Sequence, residues 1–525
     1  MSKYKQTFIK GTLILLAAGI INRLLGFIPR IALPRIIGAE GVGLYQMGYP
    51  FVIVILTMIT GGIPLAIAKL VAEAQSEGNV KRIRGILLIS LGITVFLGIF
   101  FTAISLAAAP WITAHLLTDS RVYPTFMWMT PIILIVSVSS VFKGYFQGRQ
   151  NMIPSAVSQI VETIIRIVAV LFFAYLLLPK GIEYAAAGAM IGVVVGEIGG
   201  LVVILVYYLR SRKGYQLYHQ ASIDTQSTII DSNRKSFASI FRISIPVTAS
   251  RLVGSLSYFV ESIAIVQSLA IAGVVTVAAT AQYGILQGMI IPVLLLPSAL
   301  TFSLSVSLVP SLSEAAARND MHTIHKRLTQ SLRLALVTGA PFAVIMYVFA
   351  DQLCLYLYNM KDIGVMLKMM APIALFIYFQ APLQTTLQAL DKPGKALVNT
   401  LIGAVIKILL IYLLASNPKF GILGAIMAIN LNIVIVTLLH WSSVSHFLKF
   451  KMKSIDFIKV GGAMLLMGFS CYLLMNTEWI EHDLLRFLSS LFIGMLIYLS
   501  CIVQIKLIDK HDMQRIPWIG KLFQA

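Results

Sequence analysis

Apolar runs of about 20 residues, the length a helix needs to cross the hydrocarbon core of a bilayer, recur from one end of this sequence to the other. No motif in the chain limits its fold as strongly. A segment in hydrocarbon finds no water for its backbone N–H and C=O groups, so it must satisfy them internally, as a helix or within a closed barrel. Barrel strands of about 10 residues with alternating hydrophobicity are absent from the sequence. Only 12% of the 525 residues are charged and 58% are hydrophobic, against about 25% charged in an average soluble domain. The supply of charge is too small to cover a soluble surface of this length. The fold class is therefore an all-α integral membrane protein. Soluble enzymes, nucleic-acid binders and disulfide-built secreted domains are excluded for the chain as a whole. The three cysteines, Cys354, Cys471 and Cys501, are scattered and read as packing residues. Lys3, Lys5 and Lys10 precede an apolar stretch that contains Arg23 and reaches Pro29 without a small-residue cleavage site. It reads as a first membrane helix rather than a cleaved signal.

Fourteen spans are expected, at about 8–29, 46–68, 85–109, 125–146, 153–178, 185–209, 242–268, 279–308, 329–350, 366–389, 395–416, 421–445, 457–476 and 484–505. With the N-terminus inside, 29 Lys and Arg fall in cytoplasmic segments and 8 in outer ones. That bias predicts a multi-pass protein of the cell membrane with both termini cytoplasmic, and the net charge of +20 reports topology rather than nucleic acid. The longest polar stretch, Arg210 to Lys235, has basic ends around a Ser/Thr/Gln-rich centre and reads as a linker between six spans and eight.

The two sides of that linker resemble each other. N-R-L-L-G around Arg23 matches S-R-L-V-G around Arg251 at an offset of 228, and after the first loop an offset of 241 pairs Gln46 with Gln287, Glu73 with Glu314, Gln147 with Gln388 and Arg166 with Lys407. Spans 1–6 and 7–12 thus read as two copies of one unit in parallel orientation, an arrangement that typically encloses a central site. The expected organisation is an N-lobe at 1–209, a cytoplasmic linker at 210–241, a C-lobe at 242–447 and a C-terminal helix pair with its tail at 448–525.

Seven ionisable residues are read inside spans: Arg23, Glu162, Arg166, Glu197, Arg251, Glu261 and Lys407. Each is costly in hydrocarbon unless it meets water or a partner. Arginine does not shed its proton, so Arg23 and Arg251 must be solvated, paired or bound to an anion. Arg30 stands seven residues after Arg23, about 10 Å further along a helix, with Pro29 as a candidate kink. Guanidinium forks in such positions suit phosphate. Arg23, Arg30 and Arg251 are the candidate substrate-binding residues, and Asn22, Glu162, Arg166, Glu197, Glu261 and Lys407 are candidates for a cavity or coupling role. Glu162 and Arg166, one turn apart, also suit mutual neutralisation. Gly188, Gly192, Gly196 and Gly200 form a small-residue stripe for close helix contact. There is no nucleotide-binding loop, catalytic cluster or metal-ligand spacing, so no cofactor or metal is expected and the chain does not read as an enzyme.

K-G-T-L-I-L-L-A-A-G-I-I-N-R-L-L-G-F from Lys10, G-A-E-G-V-G-L-Y from Gly38, A-K-L-V-A-E-A from Ala68 and G-Y-F-Q-G-R-Q-N-M from Gly144 resemble the polysaccharide-transport branch of the multidrug/oligosaccharidyl-lipid/polysaccharide exporters. G-I-E-Y-A-A-A-G-A-M from Gly181 and L-Q-A-L at 387–390 resemble its members from endospore-forming bacteria. The resemblance implies fourteen helices in two lobes. It also implies flipping of a lipid-linked (polyprenyl-pyrophosphate) saccharide, a peptidoglycan precursor for spore cortex, across the cytoplasmic membrane by alternating access. The implied partners are that lipid-linked saccharide, membrane lipids and cell-wall synthesis enzymes; nucleic acid is not among them. Lipid II flippases of the superfamily carry arginines where Arg23 and Arg251 stand, and approximately where Arg30 stands. They differ in a spacing of six, in an Asp where Ile31 follows here, and in an arginine in the second span. Two alternatives stay open on the residues: a drug/cation antiporter of the same superfamily, and a non-transporting scaffold for wall synthesis.

Overall fold

The computed structural model describes residues 8–216, 229–477 and 480–505. The centre of the expected linker and the tail beyond residue 505 lie outside the described residues. Every regular element among the described residues is helical. Thirteen helical stretches among the described residues are long and apolar enough to cross a membrane. The first of them, Ala17–Ser76, runs for 60 residues, about 90 Å at 1.5 Å per residue, which is room for two crossings of a roughly 30 Å core. The thirteen stretches overlap all fourteen expected spans, the first of them covering ground from both 8–29 and 46–68.

That first stretch departs most from the sequence reading. Instead of a loop between spans 1 and 2, α1 (Phe8–Leu25) is followed by α2 (Phe27–Met47), α3 (Tyr49–Thr60) and α4 (Ile63–Ser76) with almost no connecting chain. Glycines punctuate it. Gly26 separates α1 from α2, Gly48 separates α2 from α3, and Gly61 with Gly62 divides α3 from α4. Pro50 and Pro64 occupy first-turn positions of α3 and α4, where their missing N–H leaves no bond unmade. The break between Arg23 and Arg30 is therefore at Gly26; Pro29 lies within the first turn of α2 and makes no kink. Inside α2, Gly38 takes φ +67°, a conformation open to glycine at little cost.

Packing divides the chain into two compact units. Unit 1 holds Met1–Pro292 and Ile408–Ala425, and unit 2 holds Val293–Lys407 and Ile426–Ala525. Unit 1 continues with α5 (Val80–Trp111), α6 (Tyr123–Met129), α7 (Pro131–Gly148), α8 (Ile153–Leu177), α9 (Ile182–Gln216), α10 (Ile229–Ile271) and α11 (Thr276–Gly284). One apolar core in it comprises Ile67, Leu70 and Val71 of α4, Ile86 and Leu87 of α5, and Val141, Phe142 and Phe146 of α7, with Ile204 and Ile240. α9 and α10 extend to Gln216 and back to Ile229, so helix occupies much of the stretch read as linker.

Among the remaining helices, α12 (Ile291–Leu295) leads into α13 (Ser298–Ala317) across Leu296 and Pro297, interrupting the span expected at 279–308. Unit 2 also holds α14 (Met321–Val348), α15 (Ala350–Tyr358), α16 (Gly364–Met370), α17 (Ala374–Ala389), most of α18 (Pro393–Ala415) and α19 (Ile422–Leu448), α20 (Ser454–Met475) and α21 (Asp483–Gln504). Leu332 and Leu336 of α14, Leu383 and Leu387 of α17, and Val460 and Met467 of α20 share one core. Tyr498 of α21 is buried and donates to the Val337 carbonyl at 2.7 Å. The last two helices are thus integral to the core of unit 2.

Candidate functional site

The stripe of small residues fixes the first part of the site. A Cβ at Gly188 would stand 2.4 Å from the Phe173 carbonyl oxygen, one at Gly192 2.3 Å from the Val170 nitrogen, and one at Gly196 2.6 Å from the Arg166 Cβ. Only glycine lets the α8 and α9 backbones approach so closely. That register brings the intramembrane charges together: Arg166 Nη1 lies 3.2 Å from Glu162 and 3.9 Å from Glu197, and Lys143 Nζ of α7 lies 3.6 Å from Glu162. Arg166 also donates to the Thr163 hydroxyl at 3.4 Å. Glu162 and Arg166 neutralise each other as their spacing predicted. Glu197 joins them from α9, and Lys143, which the sequence reading counted with the basic residues flanking its span, is the fourth member. Two cations and two carboxylates leave this cluster formally neutral.

Glu261 is buried on α10, ten residues from Arg251, and the Gln287 amide donates to it at 3.4 Å. The arginines differ from these carboxylates. Arg23 closes α1, Arg30 lies in the first turns of α2 and Arg251 lies within α10, and all three side chains are exposed. Arg30 and Arg251 have no ion-pair partner among the described residues. Arg30 stands within electrostatic reach of Tyr45, Tyr49 and Tyr258, and Arg166 reaches the same Tyr45 and Tyr49. α1 packs on α8 and α2, whereas α10 packs on α3, α4, α5 and α11, so Arg23 and Arg251 sit on helices with different neighbours. Asn22, beside Arg23, has a buried side-chain oxygen with no hydrogen-bond partner among the described residues. Lys407 is buried on α18 and belongs to unit 2.

A second polar constellation was invisible in the sequence. Arg121 pairs with Glu40 of α2 and with Asp119, Nη2 to Oδ2 at 2.7 Å and Nε to Oδ1 at 3.0 Å. Thr280 of α11 donates to Asp119 Oδ2 at 2.8 Å. Burial pushes the Asp119 carboxyl up, but hydrogen bonds from the Arg121 side chain, Thr280 and the Arg121 amide outweigh it, and the group is held below the usual aspartate range. Beside it, α2 and α11 touch through glycines: a Cβ at Gly43 would meet the Thr280 carbonyl at 2.0 Å, and one at Gly284 the Ala39 carbonyl at 2.3 Å.

The polysaccharide biosynthesis protein family matches residues 8–316, and the MatE family matches residues 252–413. Stage V sporulation protein B of Bacillus subtilis (strain 168) is 42% identical over 521 residues, covering 99% of each chain. Lipid II flippase MurJ of the same organism is 25% identical over 418 residues, 77% of this chain and 76% of that one. In fold, the chain is similar to a solved structure of lipid II flippase MurJ in an inward closed conformation, with a TM-score of 0.69 at 17% identity, over 93% of this chain and 98% of that one. The all-helical architecture, the long apolar stretches and these matches agree, and the chain belongs to the polysaccharide biosynthesis protein family, within the superfamily that also holds the MATE and MurJ transporters.

Proposed function

We propose that this protein is a flippase for a lipid-linked saccharide, with a polyprenyl-pyrophosphate carrier and a peptidoglycan precursor for spore cortex as the cargo. The observation that carries the reading is the contrast between the signs of charge. The span carboxylates Glu162 and Glu197 are matched by Lys143 and Arg166, and Glu261 is hydrogen-bonded to Gln287. Arg30 and Arg251 are exposed and carry no ion pair among the described residues. What remains for a ligand is positive, which suits an anionic head group and disfavours the cationic cargo of a drug antiporter. A pyrophosphate presents oxygen acceptors to planar guanidinium forks, and Arg23, Arg30 and Arg251 are the residues assigned to it. The polyprenyl tail stays in lipid.

In this account the N-lobe (1–209) and C-lobe (242–447) are the repeats that move in alternating access, driven by membrane potential or an ion gradient. Asn22, Glu162, Arg166, Glu197, Glu261 and Lys407 contribute to the cavity wall or to coupling. The protein sits in the cell membrane with both termini cytoplasmic, among wall-synthesis enzymes that supply and consume the cargo. The relatives named as a sporulation protein and as a lipid II flippase support cargo of this class. The test is binding in nanodiscs: a pyrophosphate-linked saccharide lipid should bind saturably, and a cationic dye should fail to displace it. Tighter binding of the dye than of the lipid would favour antiport, and no binding of either would favour a scaffold.

A further inference from the structure

We propose that the segment between α19 and α20 forms, with the loop before α18, a docking site for the head groups of anionic phospholipids. Lys449, Lys451 and Lys453 are exposed, while Phe450 is buried and Met452 half-buried between them, so the cations project on one side and the apolar side chains hold the segment down. Lys449, Lys451 and Lys453 alternate with the two anchored apolar side chains, which separates their charges along the segment. The holding contacts are specific. Phe450 meets the His325 ring at 5.9 Å and Trp441 at 6.4 Å, and His325 Nε2 lies 2.7 Å from the Leu448 carbonyl oxygen. Lys392 extends its ammonium over the Phe447 ring at 5.8 Å, which brings Lys392 and Lys395 to the same part of unit 2.

None of these five lysines has an ion-pair partner among the described residues, and all are exposed. The neighbouring carboxylate Asp456 is already taken by Arg333 at 3.0 Å, and Asp391, beside Lys392, forms no salt bridge among the described residues. Immediately after the segment, Ile455 and Ile458 of α20 are 50% and 69% exposed, an apolar surface suited to lipid tails. Unpaired cations bordering exposed apolar side chains at the end of a membrane span match the chemistry of a phosphodiester head group above its acyl chains. A soluble acidic partner would have no use for the apolar border.

The positive-inside bias alone would call for lysines here during insertion, but not for their continued binding of lipid in the folded protein. The full-length protein in detergent would be titrated with fluorescent phosphatidylglycerol and with phosphatidylcholine, comparing wild type, K449Q/K451Q/K453Q, the arginine triple variant at the same positions, and K361Q/K368Q/K419Q as a control. Wild type should prefer phosphatidylglycerol, with a preference that falls as salt rises. The glutamine variant should bind it about 10- to 100-fold more weakly, and the arginine and control variants should bind as wild type does. Equal binding of the two lipids by wild type, an equal loss in the control triple, displacement by inorganic phosphate at millimolar concentration, or tighter binding of a polyglutamate peptide would overturn the proposal. Should the glutamine variant misfold, the salt dependence and the lipid preference of wild type decide it alone.

Discussion

Arg251 and Asp119 illustrate two different uses of charge in one unit. At Arg251 the guanidinium is exposed and unpaired among the described residues, so its removal should disturb a ligand more than the fold. Arg251→Gln and Arg30→Gln should each weaken binding of a pyrophosphate-linked lipid by roughly 10- to 150-fold, the range of a lost charge-assisted hydrogen bond. Arg251→Lys should retain part of the affinity, because lysine keeps the charge without the fork. Nanodisc binding and expression level together check this; normal affinity in the glutamine variants, or loss of protein, contradicts it. Asp119 is buried and serves the fold. Asp119→Asn should cost about 1–3 kcal/mol of stability, read as a lower thermal unfolding midpoint. Because its folded pKa is depressed, its contribution is fully present above the ordinary aspartate value of about 3.9 and is lost as pH falls below that through the folded value. The unfolding midpoint of wild type should therefore drop faster on acidification below about pH 4 than that of Asp119→Asn; parallel curves would refute the assignment.

Elements were legible where one span carries its own signal and obscure where partners lie far apart. The small-residue stripe on α9 was readable because its period of four is written in the local sequence, and it predicts a measurable asymmetry. Gly192→Ala drives a methyl group into the α8 backbone and should destabilise by about 1–3 kcal/mol. Gly254→Ala on α10 meets nothing within 4 Å and should be neutral or slightly stabilising, since alanine is the better helix former. Thermal unfolding of the two variants side by side distinguishes them, and equal midpoints would mean that the α8–α9 contact is loose. The stretch at 30–45 lies between the first two expected spans. It is helical because Leu33, Ile37 and Leu44 are buried and the glycines absorb the bends. Glu40, Asp119, Arg121 and Thr280 gave no signal at all, since Thr280 lies 161 residues from Asp119 and no spacing rule reaches so far. Lys143 was missed for a simpler reason: at the edge of its span it looked like one more flanking cation.

At the scale of the whole molecule, composition and the repetition of apolar segments were enough to give the architecture, because lipid leaves so few ways to satisfy a backbone. The inferred repeat and the packed units answer different questions, ancestry and contact, and α10 and α11 pack in unit 1 although their sequence aligns with the first spans of the chain. The Lys/Arg bias predicts reporter activity on the cytoplasmic side for fusions after Lys213 and after Ala525, and external activity at either point would break the fourteen-span topology.

Whether the exposed arginines serve an anionic lipid-linked cargo can be read from transport by the purified protein in liposomes, with a pyrophosphate-linked peptidoglycan precursor and a lipid-linked teichoic or capsular precursor supplied in parallel. The expected result is protein-dependent flipping of the peptidoglycan precursor, abolished in Arg251→Gln and partly restored in Arg251→Lys. Flipping unaffected by Arg251→Gln, or none of either lipid by folded wild-type protein, would contradict it.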